Sequence, residues 1–125
     1  MSPGSLAAAN DEAQQLSTLR EVEVHLRLAL LRLGPDASAR DLQTAEQTMD
    51  QAELLLGTLV HDPWERSVAG QAREVLSSHL LAASACADAD VGTAVTAKVL
   101  RRGADSARRL LARQSYRPGG VEAAT

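Results

Sequence analysis

The chain has 125 residues, a net charge of −3 and a composition that is 45% hydrophobic but contains no Phe, one Trp and one Tyr. Its single cysteine, Cys86, excludes an intrachain disulfide framework and the paired cysteines of zinc sites. No apolar run approaches the roughly 18 residues of a membrane span, and no basic stretch followed by an apolar core opens the chain. These totals predict one cytoplasmic domain of packed helices, without a membrane contact, whose core is built from Leu, Ala and Val.

Helix 1 is predicted over residues 10–33, with Asn10 as its N-cap and Gly34 and Pro35 after its end. Apolar residues recur along it in steps of three and four, which is typical of a helix that buries one face. The predicted buried residues are Leu19, Val22, Leu26, Ala29 and Leu33.

Helix 2 is predicted over residues 38–61. Ser38 can cap it, and Asp41 lies at the position of the acidic partner in a capping box. The same spacing of apolar residues predicts one buried face. Its members are Leu42, Ala45, Met49, Ala52, Leu56 and Leu59.

Helix 3 is predicted over residues 63–87, because Asp62, Pro63 and Glu65 form a helix-start pattern of N-cap, first-turn proline and N3 carboxylate. This boundary predicts a very tight turn between helices 2 and 3, which makes them antiparallel neighbours. The predicted buried residues are Val68, Ala72, Val75, His79, Ala82 and Cys86.

Helix 4 is predicted over residues 90–116, with Asp90 as its cap and Pro118-Gly119-Gly120 after its end. Gly103 lies inside this helix at a cost of roughly 1 kcal/mol relative to Ala, so we expect a close backbone approach or a kink there. The predicted buried residues are Ala97, Leu100, Ala104, Ala107 and Leu111.

Four helices of similar length with short connections predict an all-α fold, an up-down-up-down antiparallel four-helix bundle over residues 10–117. Residues 1–9 and 118–125 are expected to be flexible tails.

Three polar side chains are expected at a similar height in this bundle: His25 on helix 1, Glu46 on helix 2 and His79 on helix 3. Imidazole and carboxylate groups that converge inside a bundle can bind a metal. The alternative is that His79 is a core histidine hydrogen-bonded to Glu46 or to water. We favour the core histidine, and we expect no metal and no other cofactor.

Residues 78–84, with the sequence Ser-His-Leu-Leu-Ala-Ala-Ser, resemble the helical segment of histidine phosphotransfer domains, which are four-helix bundles of similar size. The resemblance implies that His79 accepts a phosphoryl group, and Leu81 matches the family pattern. Ala82 and Ala83 stand where that family has Lys and Gly.

Basic residues are concentrated near the C-terminus, where residues 98–117 carry a net charge of +6. A basic helix face of this kind can neutralise phosphates or bind an acidic protein. The alternative is that its side chains pair with acidic residues of helices 1 and 2, among them Glu21, Glu23, Glu46, Asp50 and Glu53. The basic residues of the predicted face are Lys98, Arg101, Arg102, Arg108, Arg109 and Arg113.

Helices 1 and 2 have more leucines than one buried face needs, namely Leu28, Leu31, Leu54 and Leu55. If these leucines are exposed, they form a surface that soluble monomers avoid.

No glycine-rich phosphate loop or nucleophile elbow indicates an enzyme. We therefore expect a non-enzymatic interaction or scaffold protein that forms a homodimer, or binds another helical protein, through these leucines. A nucleic-acid-binding module using helix 4 and a phosphotransfer bundle are the alternatives.

Overall fold

The computed structural model describes the backbone of residues 3–60 and 67–124, and the side chains of residues 11–60 and 67–113. The chain forms four helices: α1 (Pro3–Arg32), α2 (Ala39–Gly57), α3 (Val68–Asp88) and α4 (Thr93–Ala124). Within those ranges there is no strand. The all-α class predicted from composition and apolar spacing is confirmed.

Each helix packs against its neighbours in the chain, and α1 also packs against α4, so the helices form a closed ring of four. α2 and α4 touch across the centre, whereas the described residues of α1 and α3 do not touch. Arg73 near the start of α3 lies beside Gly57 at the end of α2, and His79 of α3 contacts Gly103 of α4. These pairings are consistent with a four-helix bundle, and the up-down alternation of its helices stays a prediction.

The core consists of the apolar faces predicted for helices 1, 2 and 4, which pack together with part of α3. Four of the five predicted residues of α1 are fully buried, and Leu19 packs against them. All five predicted residues of α4 are buried, as are five of the six predicted for α2, with Leu59 partly exposed after the helix end. The spacing of three and four residues predicted these buried faces because it matches the 3.6-residue turn of a regular α-helix.

The buried face of α3 differs from the predicted one. Ala72, Leu76 and Ala83 are buried, whereas Ala82 is exposed and Cys86 is only partly buried. The sequence has apolar residues on both sides of His79, so two overlapping faces satisfied the helical spacing. The buried set in the structure is Ala72, Leu76 and Ala83, while His79 beside it packs against Gly103 of α4.

The connection between α2 and α3 is longer than the predicted tight turn. α2 ends at Gly57 because the next three amides donate to carbonyls three residues back, from Thr58 to Leu55 onward, which tightens the last turn. α3 begins after Ser67, whose hydroxyl accepts a hydrogen bond from the Gly70 amide at 3.0 Å. Ser67, and not Asp62, therefore caps α3; Asp62, Pro63 and Glu65 lie outside the described residues.

Asp90 ends α3 instead of beginning α4. Its φ of 54° is left-handed, its amide donates to Ala87, and the Val91 amide donates to Cys86 at 3.3 Å. This pair of bonds is a Schellman motif, in which Asp90 takes the position that is usually glycine. The cap predicted at Ser38 is present, with both bonds of the Ser38 and Asp41 capping box formed.

Gly103 brings α4 close to α3, one of the two outcomes predicted for it. A Cβ at this position would lie 2.5 Å from the Cβ of His79 and 2.8 Å from its Cγ. No larger residue fits there without movement of the helices, so this glycine sets their separation.

The two terminal helices extend beyond the predicted bundle, since α1 begins at Pro3 and α4 continues to Ala124. The flexibility expected for residues 1–9 and 118–125 stays a prediction. No helix in the described ranges is both long enough and apolar enough to cross a membrane.

Candidate interaction surfaces

The predicted layer of His25, Glu46 and His79 does not form a metal site. Among the residues whose side chains are described, no three histidine, cysteine or acidic groups lie close enough to hold a metal ion. His25 Nδ1 lies 2.7 Å from the carbonyl of Glu21, one turn earlier in α1. α1 and α3 lie on opposite sides of the bundle, and this separates the two imidazoles.

His79 is partly buried between α3 and α4, as its position on a predicted buried face implied. Its Nδ1 donates to the carbonyl of Val75 at 2.8 Å, and its Cβ and Cγ face Gly103. It is therefore bonded to its own helix and not to Glu46. A phospho-accepting imidazole needs a free approach from solvent, and packing against α4 restricts that approach.

Glu46 lies at a cavity of about 280 Å³ that is bordered by the start of α2, the end of α3 and the start of α4. Its lining includes Gln43, Cys86 and Thr93. Partial burial raises the pKa of the Glu46 carboxyl, and the nearby charge of Asp50 raises it further. The buried hydroxyl of Thr96 donates a hydrogen bond to the Gly92 carbonyl at 3.2 Å.

The basic residues of α4 divide into two groups by their contacts. Arg101 donates from Nε to the carbonyl of Leu33 at 2.8 Å and so ties α4 to the end of α1. Arg108 and Arg109 pair with Asp105 of the same helix, at 4.0 and 3.0 Å. No ion pair between the described side chains joins these cations to acidic residues of α1 or α2, the pairing that the sequence offered as an alternative.

Four of the cations form one exposed line, which we call the α4 basic stripe: Lys98, Arg102, Arg109 and Arg113. They are spaced so that they lie on the side of α4 opposite Leu100, Ala104 and Leu111. At 1.5 Å per residue the stripe is about 22 Å long. Only Arg109 has an ionic partner among the described side chains, and its own side chain remains 75% exposed.

The acidic residues of α2 form a second charged line, the α2 acidic stripe, made of Glu46, Asp50 and Glu53. Their spacing of four and three residues places them on one side of the helix, over about 10 Å. None of the three has a hydrogen bond or ion pair to another described side chain. The bundle therefore has a basic side on α4 and an acidic side on α2.

The four additional leucines of helices 1 and 2 differ in their exposure to solvent. Leu28, Leu31 and Leu54 are exposed, by 51%, 79% and 65%. Leu55 is partly buried and packs against the core, so it does not belong to an exposed group with them. Leu54 lies on α2 among polar residues, apart from the two leucines of α1.

Val24, which the sequence analysis did not single out, completes a line with Leu28 and Leu31. It is 54% exposed, and the spacing of 24, 28 and 31 places these residues on one side of α1, which we call the α1 apolar stripe. This side is opposite Val22, Leu26 and Leu33 of the core. The signal was present in the sequence as a second set of apolar residues in steps of four and three.

Two of the cations that border the α1 apolar stripe are neutralised within the chain. Arg27 pairs with Glu23 at 2.8 Å, and Arg32 lies 3.6 Å from Asp41 of α2. The apolar stripe is thus framed by paired charges, which lowers the electrostatic cost of bringing a similar surface against it.

No protein family, curated protein or solved structure matches this chain. The resemblance to phosphotransfer domains is therefore limited to residues 78–84, and the function has to be inferred from the surfaces.

Proposed function

We propose that the protein is a non-enzymatic interaction module that forms a homodimer through the α1 apolar stripe. The observation that carries the proposal is the exposure of Val24, Leu28 and Leu31 on the side of α1 opposite the core. A helix with two apolar sides needs a second partner, because its outer side otherwise stays in water.

Burial of the α1 apolar stripe would contribute free energy to a contact between two copies. Complete burial of a Val or Leu side chain contributes about 1.5–3 kcal/mol, and a symmetric contact buries each residue in both copies. The three residues are already more than half exposed, so most of this area is available.

A second copy is the partner that best fits the charges at this surface. The internal pairs of Arg27 with Glu23 and of Arg32 with Asp41 leave neither cation to repel its counterpart in a facing α1. A second copy also supplies an apolar line of the same length. Leu54 and Leu81 lack such a line, since the residues three and four positions away from each on its helix are polar or small.

The proposal is tested by the molar mass in solution, measured by light scattering at high salt, where contacts between charged groups are screened. We expect the wild type to be a dimer and the double variant Leu28→Glu with Leu31→Glu to be a monomer of unchanged helix content. Leu81→Glu is the matched control, because Leu81 is 70% exposed but isolated on α3, and it should remain dimeric.

A monomeric wild type at the highest accessible concentration would contradict the proposed dimer. So would a double variant that stays dimeric, because the contact would then lie elsewhere on the bundle.

A further inference from the structure

We propose that copies of this protein also associate head to tail, with the α4 basic stripe of one copy on the α2 acidic stripe of the next. This inference concerns a different surface from the α1 apolar stripe and stands without it. It assigns a partner to four exposed cations that the core does not use.

The first step is that both charged lines are unpartnered. Lys98, Arg102 and Arg113 have no ion pair with another described side chain, and Arg109 has only Asp105 of its own helix. Glu46, Asp50 and Glu53 likewise form no ion pair with another described side chain. Burial raises the pKa of the Glu46 carboxyl, and the charge of Asp50 raises it further.

The second step is that the stripes match in form. The α2 acidic stripe extends over about 10 Å and the α4 basic stripe over about 22 Å, so the shorter line fits within the longer one. Both follow one side of a straight helix. Two helices of opposite charge can therefore lie along each other with several ion pairs formed at once.

The third step is the placement of the stripes in the bundle. α2 and α4 contact each other across the centre, and the α4 basic stripe lies on the side of α4 that faces away from it. The α2 acidic stripe lies beside α3, as the cavity shared by Glu46 and Cys86 shows. Because the two stripes face in diverging directions, one pair of copies cannot form both contacts in a two-fold arrangement.

The contact is therefore heterologous, because each added copy leaves a free basic stripe on one side of the assembly and a free acidic stripe on the other. The assembly therefore becomes larger as the protein concentration rises. The contact is made of exposed ion pairs, so it must weaken when salt shortens the range of electrostatic attraction from about 30 Å at 0.01 M to about 3 Å at 1 M.

Sedimentation velocity over a concentration series, at low and at high salt, tests the inference. We expect species larger than a dimer at low salt and their loss at high salt. Growth at low salt with a monomer at high salt would overturn the α1 dimer but keep this inference. A constant dimer under both conditions would overturn the inference and keep the dimer.

Charge reversal gives the sharper result. Lys98→Glu with Arg102→Glu cancels the net positive charge of the α4 basic stripe, and Asp50→Lys with Glu53→Lys makes the α2 stripe basic, so each variant alone should lose the larger species. An equimolar mixture of the two variants should associate again, since the α2 acidic stripe of the first variant can pair with the α4 basic stripe of the second. Failure of the mixture to associate would refute the pairing of these two stripes.

A control separates the stripe from net charge. Arg40→Glu with Arg73→Glu changes the net charge as much as the α4 reversal does, at exposed positions outside α4, and should preserve association. Addition of a short DNA duplex to the wild type is the last arm. Tight, salt-sensitive DNA binding without any concentration-dependent growth would identify the α4 basic stripe as a phosphate-binding surface and overturn the inference.

Discussion

Replacement of Gly103 by alanine tests whether the approach of α3 to α4 is as close as described. The new Cβ would lie 2.5 Å from the Cβ of His79, well inside van der Waals contact. That neighbour is fixed to the backbone of α3 and cannot rotate away, so the two helices have to separate. Overpacking of this kind costs about 1–3 kcal/mol.

Two opposing effects determine the net change in stability. Alanine is favoured over glycine inside a helix by roughly 1 kcal/mol, which offsets part of the packing cost. A 2.5 Å approach lies at the upper end of that packing cost, about 2–3 kcal/mol, so we expect Gly103→Ala to lower the free energy of unfolding by about 1–2 kcal/mol, or the Tm by roughly 3–10 °C.

Urea denaturation followed by circular dichroism measures this change. Gly34→Ala is the control, because a Cβ at Gly34 would meet nothing within 4 Å, and its stability should be unchanged or slightly higher. Adding His79→Ala to Gly103→Ala should not restore stability, since alanine keeps the colliding Cβ. A Gly103→Ala variant as stable as the wild type would refute the close approach of α3 and α4.

Three further changes have defined outcomes. Ser38→Ala removes the capping box of α2 and should cost about 1 kcal/mol in urea denaturation; no loss would mean that the cap is dispensable. Arg101→Ala removes the bond from α4 to the Leu33 carbonyl and should cost about 1 kcal/mol, whereas the exposed Arg102→Ala should cost almost nothing; equal effects would contradict that contact. Because the pKa of Glu46 is raised above its ordinary 4.5, its ionised form disfavours folding, so stability declines as pH rises from below 4.5 through the raised value. Glu46→Gln should remove that part of the decline and be at least as stable at neutral pH, which thermal unfolding at a series of pH values would show or disprove.

The sequence predicted the core of α1, α2 and α4 well because one apolar spacing dominates each of these helices. It was less accurate at α3, where Ala82 and Ala83 both satisfy the helical spacing and only the packing of the folded bundle shows that Ala83 is the buried one. Local hydrogen bonds that place Ser67 before α3 and Asp90 after it are equally hard to foresee, since other residues nearby have similar capping preferences.

The sequence predicted which residues could form the apolar and basic surfaces, but not which of them are exposed or which ion pairs they form. Leu28 and Leu31 are exposed, yet Leu55 turns inward because it lies toward the neighbouring helices and not on the outer side of α2. Pairing of the α4 arginines with acidic residues of α1 and α2 was one of the alternatives that the sequence left open. Arg108 and Arg109 instead find Asp105 one turn away, a partner that requires no long side-chain reach between helices.

About half of the buried apolar side chains in the described part of the chain are alanines, and they occur on all four helices. Helices that meet through such short side chains lie close together, so a larger side chain at one of these positions would clash with the backbone of the neighbouring helix. Larger side chains are therefore expected to be tolerated best on the outside of the bundle, where new binding properties can arise without disturbing the core.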